Sequence, residues 1–424
     1  MKLSFLRKVA CLCMVAAACS ASAESAGEPS TLPLVDADAA TTTTTTTIAS
    51  TSVTTVQTDF KPAAGEVFSL PTSTTTQPVT TTTTAPKPAT TSSSPGTPAV
   101  TQPSGDPQQP SSLYKGVLGT YTLDQVFASS PVANPTVASG TLPLTGVPGT
   151  TPSRPAIVVK VDNASRARPQ SGLNKADIVI EEEVEFGITR FAAVYHTHDS
   201  TVGPVRSGRS TDISFLNALG SPGLVYSGAN RVIDQLLLNQ TNVANFSAAR
   251  SSGYWRSSSR PAPNNLYSKT SSFSGVAPGG PPPAQFHFRP AGTPSSQGVE
   301  STGFGVHYPA NKVRWDWDGS AWLRSQAGRA HTTDGERVSA ANVVVVAVPS
   351  VATGLFDSTG AAVPEFVFVG EGPAAVFTDG RRVDGSWTRP TLRDPAILHV
   401  NGQAITLTPG RTWIQVTTSG QYQP

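Results

Sequence analysis

The stretch from Asp162 to Arg209 holds the side chains of this sequence that are best suited to chemistry. It contains a dense set of arginines and carboxylates, and one more candidate arginine, Arg260, lies further on. The planar guanidinium of arginine matches carboxylate and phosphate groups with two parallel hydrogen bonds. The stretch therefore indicates a cleft that binds an anionic ligand. The side chains expected to line this cleft are Asp162, Arg168, Glu181, Glu185, Arg190, Arg206, Arg209 and Arg260.

Paired carboxylates in the same stretch give a catalytic alternative. Asp162 follows one predicted strand and Glu181 lies on the next, so the two are candidates for general acid and general base in a hydrolase of peptidoglycan or polysaccharide. Glu183 and Glu185 are expected to share the strand face of Glu181, because side chains alternate along a strand. Like charges at that spacing raise one another's pKa unless arginines neutralise them. The same pattern therefore also fits a purely structural network of ion pairs.

Other kinds of site lack the residues that they need. His196 and His198 project from one face of a strand end, but two ligands do not make a metal site and the other histidines are scattered singly, so no metal is expected. Ser207 lies between two arginines without an identifiable general base, and no G-x-S-x-G motif is present. The sequence has no glycine-rich phosphate loop, so no nucleotide cofactor is expected. A net charge of only +2 argues against nucleic acid as a partner.

Three runs rich in β-branched residues must position these side chains, over residues 156–161, 177–184 and 188–196. Gly187 joins the second run to the third, which predicts a hairpin. Helices are predicted over 212–219 and up to Leu238, with Asn230 as the cap of the second. We expect residues 141–298 to form an α/β domain with a mixed sheet.

After Gly298 the pattern changes to short aromatic and β-branched runs separated by tight-turn dipeptides. The clearest dipeptide is Asp318-Gly319, which favours a narrow hairpin turn between two runs that bring Trp315 and Trp322 together. No helical period appears in this part. Residues 299–424 are therefore predicted to form an antiparallel, all-β second domain.

The amino-terminal segment is typical of an export signal over residues 1–23, because basic residues precede an apolar run that is too short for a permanent membrane span. All three cysteines, Cys11, Cys13 and Cys19, lie inside it, so the exported domains have no disulfide. Cys19 is the expected site of lipid attachment to the outer face of the membrane. Ordinary signal cleavage after Ala23 and secretion is the alternative.

Residues 24–140 are dominated by threonine, serine, proline and alanine, with few large apolar side chains. Such a segment cannot bury enough apolar surface to offset its conformational entropy. It is predicted to be a long disordered tether, which proline keeps extended.

Ordered motifs along the folded part resemble the YerB-like bacterial lipoproteins. They are PLTG at 143–146, VDN at 161–163, ARPQSGL at 167–173, ADIV at 176–179, glutamates at 181 and 185 with valine at 184, GITRF at 187–191, GPVRSGR at 203–209, WRSSSR at 255–260, NNLY at 264–267 and GRTWI at 410–414. The resemblance covers essentially the whole folded part. It implies an exported, lipid-anchored protein with an α/β first domain, a β-rich second domain and no assigned biochemical activity.

Three positions depart from the pattern of that family. Ala16 stands where leucine is commoner in the lipoprotein cleavage box, Phe186 stands where a second glycine is common, and Asn264 stands where histidine is expected. The last change weakens a catalytic interpretation of that loop. The favoured hypothesis is a protein of the cell envelope, without a cofactor, whose arginine-rich cleft binds an anionic cell-wall polymer or a wall-synthesis protein.

Overall fold

The computed structural model describes residues 126–424 except Ser358, together with two short strands near residue 50. The predicted signal segment, Cys19 and residues 24–125 of the predicted tether, apart from these strands, lie outside the described residues. Contacts separate residues 1–94 from residues 95–424 as two units, and the two short strands pair with each other in the first unit. Within the described part, no helix is long and apolar enough to cross a membrane.

Strands dominate the second unit. In chain order the strands of both units are β1 (Thr47–Ile48), β2 (Thr51–Ser52), β3 (Ile157–Asp162), β4 (Ile178–Glu183), β5 (Thr189–Tyr195), β6 (Thr201–Val202), β7 (Gly223–Tyr226), β8 (Ala244–Ser247), β9 (Tyr254–Arg256), β10 (Leu266–Lys269), β11 (Val299–Glu300), β12 (Gly303–Tyr308), β13 (Asn311–Trp317), β14 (Trp322–Gln326), β15 (Arg329–Ala330), β16 (Thr332–Thr333), β17 (Glu336–Arg337), β18 (Ser339–Ala340), β19 (Asn342–Ala347), β20 (Ser350–Phe356), β21 (Ala362–Phe366), β22 (Gly370–Thr378), β23 (Arg381–Arg389), β24 (Ile397–Val400), β25 (Gln403–Ala404), β26 (Thr412–Thr417) and β27 (Tyr422–Gln423). The helices are α1 (Asp212–Asn217), α2 (Arg231–Leu238) and α3 (Ser271–Ser274), with 3-10 turns at Ser165–Ala167, Leu173–Lys175 and Glu185–Gly187.

One large sheet of twelve strands runs through both of the predicted domains. Its order is β25-β24-β23-β22-β19-β26-β4-β5-β3-β7-β8, with β11 beside β23. Strand β26 comes from the carboxyl end of the chain and lies between β19 and β4, parallel to both. The two halves of the sequence are therefore joined by backbone hydrogen bonds in the middle of the sheet.

Both faces of this sheet are buried, which explains why its central strands read as nearly continuous apolar runs. Alternate residues of β3 belong to two different cores: Val158 packs in one and Val159 in the other. A second sheet, in the order β15-β14-β13-β12-β27, supplies tryptophans to the core of Val159. Trp315 meets Trp413 of β26 there in an edge-to-face contact, with ring centroids 5.3 Å apart.

The predicted β-rich second half is confirmed, because every element after Val299 is a strand. The expectation that its strands pair only antiparallel is wrong at β26, which pairs parallel with β19. In the first half strands also predominate, so the predicted α/β class is supported only in part. The α-helices of the described residues are short, the longest being the eight residues of α2.

The last residues of the predicted tether pack against the folded part. Phe127 is buried, and its backbone N–H donates to the carbonyl of Pro390 over 2.9 Å. The side chain of Asn134 donates to Asp394 over 3.0 Å. Residues from the end of the predicted tether therefore contact the folded part. A single anchoring aromatic in a proline-rich segment is too weak a compositional signal to reveal this docking.

Candidate functional site

The carboxyl ends of several strands meet at one edge of the large sheet. Strand β3 is parallel to β7, and β5 is antiparallel to both β3 and β4, so β3, β4 and β7 all run in the same direction. They end at Asp162, Glu183 and Tyr226. Ligands of sheets with parallel strands commonly bind beyond this edge. The segment from Gly203 to Arg209 crosses it, and a backbone bridge links Val205 to Val161.

Five of the predicted site residues come together there, and we call them the arginine cluster: Asp162, Glu185, Arg190, Arg206 and Arg209. A terminal nitrogen of Arg209 bonds one carboxylate oxygen of Glu185, and a terminal nitrogen of Arg190 lies 3.9 Å from the same oxygen. Nε of Arg206 lies 3.3 Å from Oδ2 of Asp162, which also accepts a hydrogen bond from Asn264. These arginines and acids are therefore in direct contact.

Arg206 is the accessible member of the arginine cluster. Its side chain is 30% exposed, whereas those of Arg190 and Arg209 are 7% exposed. Within the described residues its two terminal nitrogens donate no hydrogen bond. Burial, followed by the charge of Arg209, lowers the pKa of Arg190 to about 9, so Arg190 remains charged at neutral pH. Arg206 therefore presents a free guanidinium fork in front of two buried positive charges.

A buried charged triad, missed by the sequence analysis, lies beneath the arginine cluster. Nζ of Lys160 is 2.5 Å from Glu182 and 2.6 Å from Asp212, and all three side chains are buried. Burial raises the pKa of Glu182 to about 7, and the charge of Lys160 opposes the rise. The signal available in the sequence was a lysine inside an otherwise apolar strand, since a lysine there requires a buried acid as its partner.

Glu181 does not belong to the arginine cluster. Asp162 of β3 pairs with Arg190 of β5, whereas Glu181 of β4 pairs with Phe191, the next residue of β5. Neighbouring positions on a strand point to opposite faces, so the two carboxylates lie on opposite sides of the sheet. The predicted acid and base pair of Asp162 and Glu181 is therefore wrong, because no single cleft holds both.

On its own face of the sheet, Glu181 has hydrogen-bond partners at both carboxylate oxygens. One terminal nitrogen of Arg324 lies 2.9 and 2.7 Å from its two oxygens, and both side chains are completely buried. Thr189 and Gln415 donate to the same carboxylate. A carboxylate with these partners has a structural role. Arg324 comes from the second half of the chain and was not predicted.

Glu183 and Glu185 also lie in different surroundings. Strand β4 ends at Glu183, so Glu185 begins a 3-10 turn and does not continue the strand face as predicted. This turn sends Glu185 towards Arg209. Glu183 accepts a hydrogen bond of 2.7 Å from Gln421, and burial raises its pKa.

Arg260 and Arg168 lie outside the arginine cluster. Arg260 donates to the carbonyls of Ala167 and Pro169 over 2.5 and 2.6 Å, so it holds the loop that follows β3. Arg168 lies between these two carbonyls in sequence and lines a separate cleft. The residues of the predicted single cleft therefore lie in separate places, and Arg260 supports the loop after β3.

The histidines singled out in the sequence do not form a metal site. His196 is buried with Nε2 3.1 Å from the carbonyl of Pro152, while His198 is exposed. In the part of the chain that the structure describes, no group of three or more His, Cys, Asp or Glu side chains is arranged to hold a metal ion. The hydroxyl of Ser207 lies 3.4 Å from that of Ser227, and no acid or imidazole among the described residues hydrogen-bonds to it.

Comparisons with known proteins match this architecture in two parts. The N-terminal and C-terminal domain models of a protein family of unknown function, DUF3048, match residues 144–280 and 304–414, and together span more than half of the chain. A Bacillus subtilis (strain 168) protein described as "Putative lipoprotein YerB" is 29% identical over 293 residues, which cover 65% of this chain and 85% of that protein. This chain belongs to the YerB-like family.

The fold of this YerB-like protein also matches a solved one. The crystal structure of the YerB protein from Bacillus subtilis superposes with a TM-score of 0.56 at 25% identity, over 65% of this chain and 96% of that one. The structure shows the conformation or contacts of two residues that depart from the YerB-like pattern. Phe186 has a backbone φ of 62°, in the left-handed region that glycine adopts freely, and its side chain is 66% exposed. Asn264 donates to Asp162 over 2.8 Å.

Proposed function

We propose that this YerB-like protein is an envelope protein, held on the outer face of the membrane, that binds an anionic cell-wall polymer or a wall-synthesis partner. The observation that carries the proposal is Arg206, whose guanidinium fork is partly exposed and unused at its terminal nitrogens. A phosphate or carboxylate group pairs with such a fork through two charge-assisted hydrogen bonds.

The surroundings of Arg206 support a role in binding a ligand rather than in a structural ion pair. The other basic groups at this edge have partners: Arg209 bonds Glu185, and Lys160 lies between two acids. Asp162 lies 3.3 Å from Nε of Arg206 as an ion-pair partner, which favours one position of the guanidinium before a ligand arrives and so reduces the entropy lost on binding. Buried Arg190 adds positive charge close behind it, and this charge is poorly screened by salt.

The location follows from the relative and from the sequence. The Bacillus subtilis relative is described as a lipoprotein, and Cys19 of this chain follows a short apolar segment after basic residues. A lipid on Cys19 would keep the binding domain attached to the membrane, and the long proline-rich sequence that follows it would allow the domain to reach into the wall.

Cosedimentation of the full-length protein with purified peptidoglycan sacculi, with and without attached anionic polymer, tests the binding. We expect the wild-type protein to sediment with the polymer-bearing wall and Arg206→Gln to lose most of this binding. The matched control is Arg314→Gln, which removes the same charge from an exposed side chain whose partner is Asp316. Binding by Arg206→Gln at the wild-type level would contradict the proposal.

Fractionation of cells tests the anchor separately. We expect wild type in the membrane fraction and Cys19→Ala in the soluble or secreted fraction. A Cys19→Ala protein that stays in the membrane fraction as firmly as wild type would contradict lipid attachment at this residue, and would leave the wall-binding result unaffected.

A further inference from the structure

A second cleft opens on the other side of the large sheet, away from the arginine cluster. Its walls are the turn after β3 and the hairpin between β14 and β15, and its volume is about 520 Å³. The residues that line it are Ser165, Arg168, Pro169, Gln326, Ala327, Arg329, Ala330, His331 and Thr332. A volume of this size suits a small ligand or one end of a larger one.

Arg168 is a basic group in this cleft without a protein partner. Among the described residues its guanidinium forms no hydrogen bond and no ion pair, and Nε is buried without a partner. Leaving a buried N–H of a charged group unpaired is costly, so such groups are rare unless a ligand or solvent completes them. Burial and the charge of Arg324 lower the pKa of Arg168; Glu181 opposes this, but both of its oxygens are already occupied by Arg324.

Arg329 adds a second unpaired charge on the opposite wall. It is exposed on the short strand β15 and forms no ion pair within the described part of the chain. None of the residues lining the cleft is acidic. Two guanidinium groups therefore face one cleft with no carboxylate to balance them, whereas two carboxylates accompany the three arginines of the arginine cluster.

His331 forms the floor and is not available as an acid or a base. A terminal nitrogen of Arg324 lies 2.5 Å from Nδ1, and because arginine only donates, Nδ1 must accept. The ring proton is therefore on Nε2, which donates to Gln170 over 2.7 Å. Burial, together with Arg324 and Arg168, holds the pKa of His331 well below its usual value. The ring is neutral and fixed, so the cleft is suited to binding and not to proton transfer.

We infer that this cleft, which we call the hairpin cleft, binds an oxyanion, either a phosphate or a carboxylate group, between Arg168 and Arg329. Ser165 and Thr332 line the same cleft, and serine and threonine hydroxyls are neutral donors of the kind that complete oxyanion sites. The site is distinct from the one at Arg206, because it lies on the opposite face of the sheet with Glu181 and Arg324. It does not depend on the wall-binding proposal.

Equilibrium dialysis of the full-length protein with labelled inorganic phosphate, and in a second arm with labelled acetate, tests this inference at constant ionic strength. The measurements use an Arg206→Gln background so that the arginine cluster does not contribute. We expect saturable binding of at least one anion, and a loss of about tenfold or more in affinity with either Arg168→Gln or Arg329→Gln. The arm that binds more tightly identifies phosphate or carboxylate as the preferred group.

Arg329→Gln keeps the test interpretable if the partly buried Arg168 affects folding, because Arg329 is an exposed residue with no ion pair among the described residues. The charge-matched control is Arg314→Gln, which should bind as tightly as the background protein. Failure of both anions to bind would overturn the inference. So would equal losses in Arg314→Gln and in the two cleft variants, since that result would show only a general effect of charge.

Discussion

Asp162 and Glu181 occupy neighbouring positions in the register of the large sheet and point to opposite faces, because their partners on β5 are Arg190 and Phe191. One side chain reaches the partly open arginine cluster, and the other reaches a closed pair with Arg324. The charged stretch is thereby divided into a partly open arginine cluster and a structural ion pair. Substitutions at the two acids should have different and independent effects.

Glu181→Gln should destabilise the protein more than Asp162→Asn. Removing the charge of Glu181 leaves Arg324 buried without a counter-ion, which costs about 3–5 kcal/mol. Asn at position 162 can still accept a hydrogen bond from the backbone N–H of Ala164, and Arg206 is partly solvated, so a loss of about 1–2 kcal/mol is expected. Urea denaturation measures both, and equal losses would contradict the difference in burial of their arginine partners.

The double variant tests the separation of the two sites. Among the residues that the structure describes, Asp162 and Glu181 share no side-chain partner, so the two losses in unfolding free energy should add within about 0.5 kcal/mol. A larger coupling would indicate that the acids act as one network through the sheet.

Glu182 should make stability depend on pH. Its pKa rises from an ordinary 4.5 to about 7 because of burial, so the folded state holds the proton more tightly than the unfolded state. The contribution of this group is fully present below about pH 4.5, declines as the pH rises, and is lost above about pH 7. Glu182→Gln cannot ionise, so its unfolding free energy should fall less than that of wild type as the pH rises from 5 to 8 in urea denaturation.

Lys160→Met tests the same triad by removing its positive charge. It leaves Glu182 and Asp212 facing each other without the ammonium that lies 2.5 and 2.6 Å from them. The loss of stability should be about 3–5 kcal/mol at pH 8 and smaller at pH 5, where Glu182 is protonated. A loss that does not change with pH would show that Glu182 does not titrate in this range.

Arg206→Lys should separate charge from geometry at the arginine cluster. Lysine keeps the positive charge near Asp162 but cannot donate two parallel hydrogen bonds to one anionic group. We expect wall binding to fall by about three- to tenfold, less than in Arg206→Gln, and the remaining binding to weaken with added salt. Wild-type binding by Arg206→Lys would show that the arginine contributes only its charge.

Phe186→Gly should stabilise the protein slightly. The left-handed φ of 62° costs a bulky residue about 1–2 kcal/mol, whereas glycine loses about 0.5–1 kcal/mol through the extra freedom of the unfolded chain. The exposed ring loses little by its removal. A net gain of about 0.5–1 kcal/mol is expected, measurable as a rise in the thermal midpoint. A lower midpoint would indicate that the phenyl ring makes a stabilising contact.

Local sequence patterns are enough to predict the elements of the site. The runs at 156–161 and 188–196 became strands 157–162 and 189–195, and Asp318-Gly319 forms the predicted turn between β13 and β14. These elements depend on β-branched residues and turn dipeptides that act within a few positions. Asn230 likewise caps α2 as predicted, accepting from the backbone of Val232.

Register and distant pairing could not be predicted in the same way. A shift of one residue exchanges the two faces of a strand, and the 3-10 turn Glu185–Gly187 that sets this offset has no strong sequence signal. Strand β26 reaches β4 from the far end of the chain. Arg324 was recognisable only in part: it occupies an inward position of the alternating strand β14, where an arginine requires a buried acid.

Arg260 should affect the hairpin cleft although it does not line it. Its two hydrogen bonds to the carbonyls of Ala167 and Pro169 fix the backbone on either side of Arg168. In Arg260→Gln the loop should loosen, and oxyanion binding in the cleft should weaken by about two- to tenfold, the equivalent of one or two hydrogen bonds. Hydrogen exchange at residues 165–170 should become faster in the same variant. Arg260→Lys can still donate to a carbonyl and should recover part of the binding. Unchanged exchange together with weakened binding would contradict a positioning role, because it would place the effect of Arg260 in its charge and not in the loop that it holds.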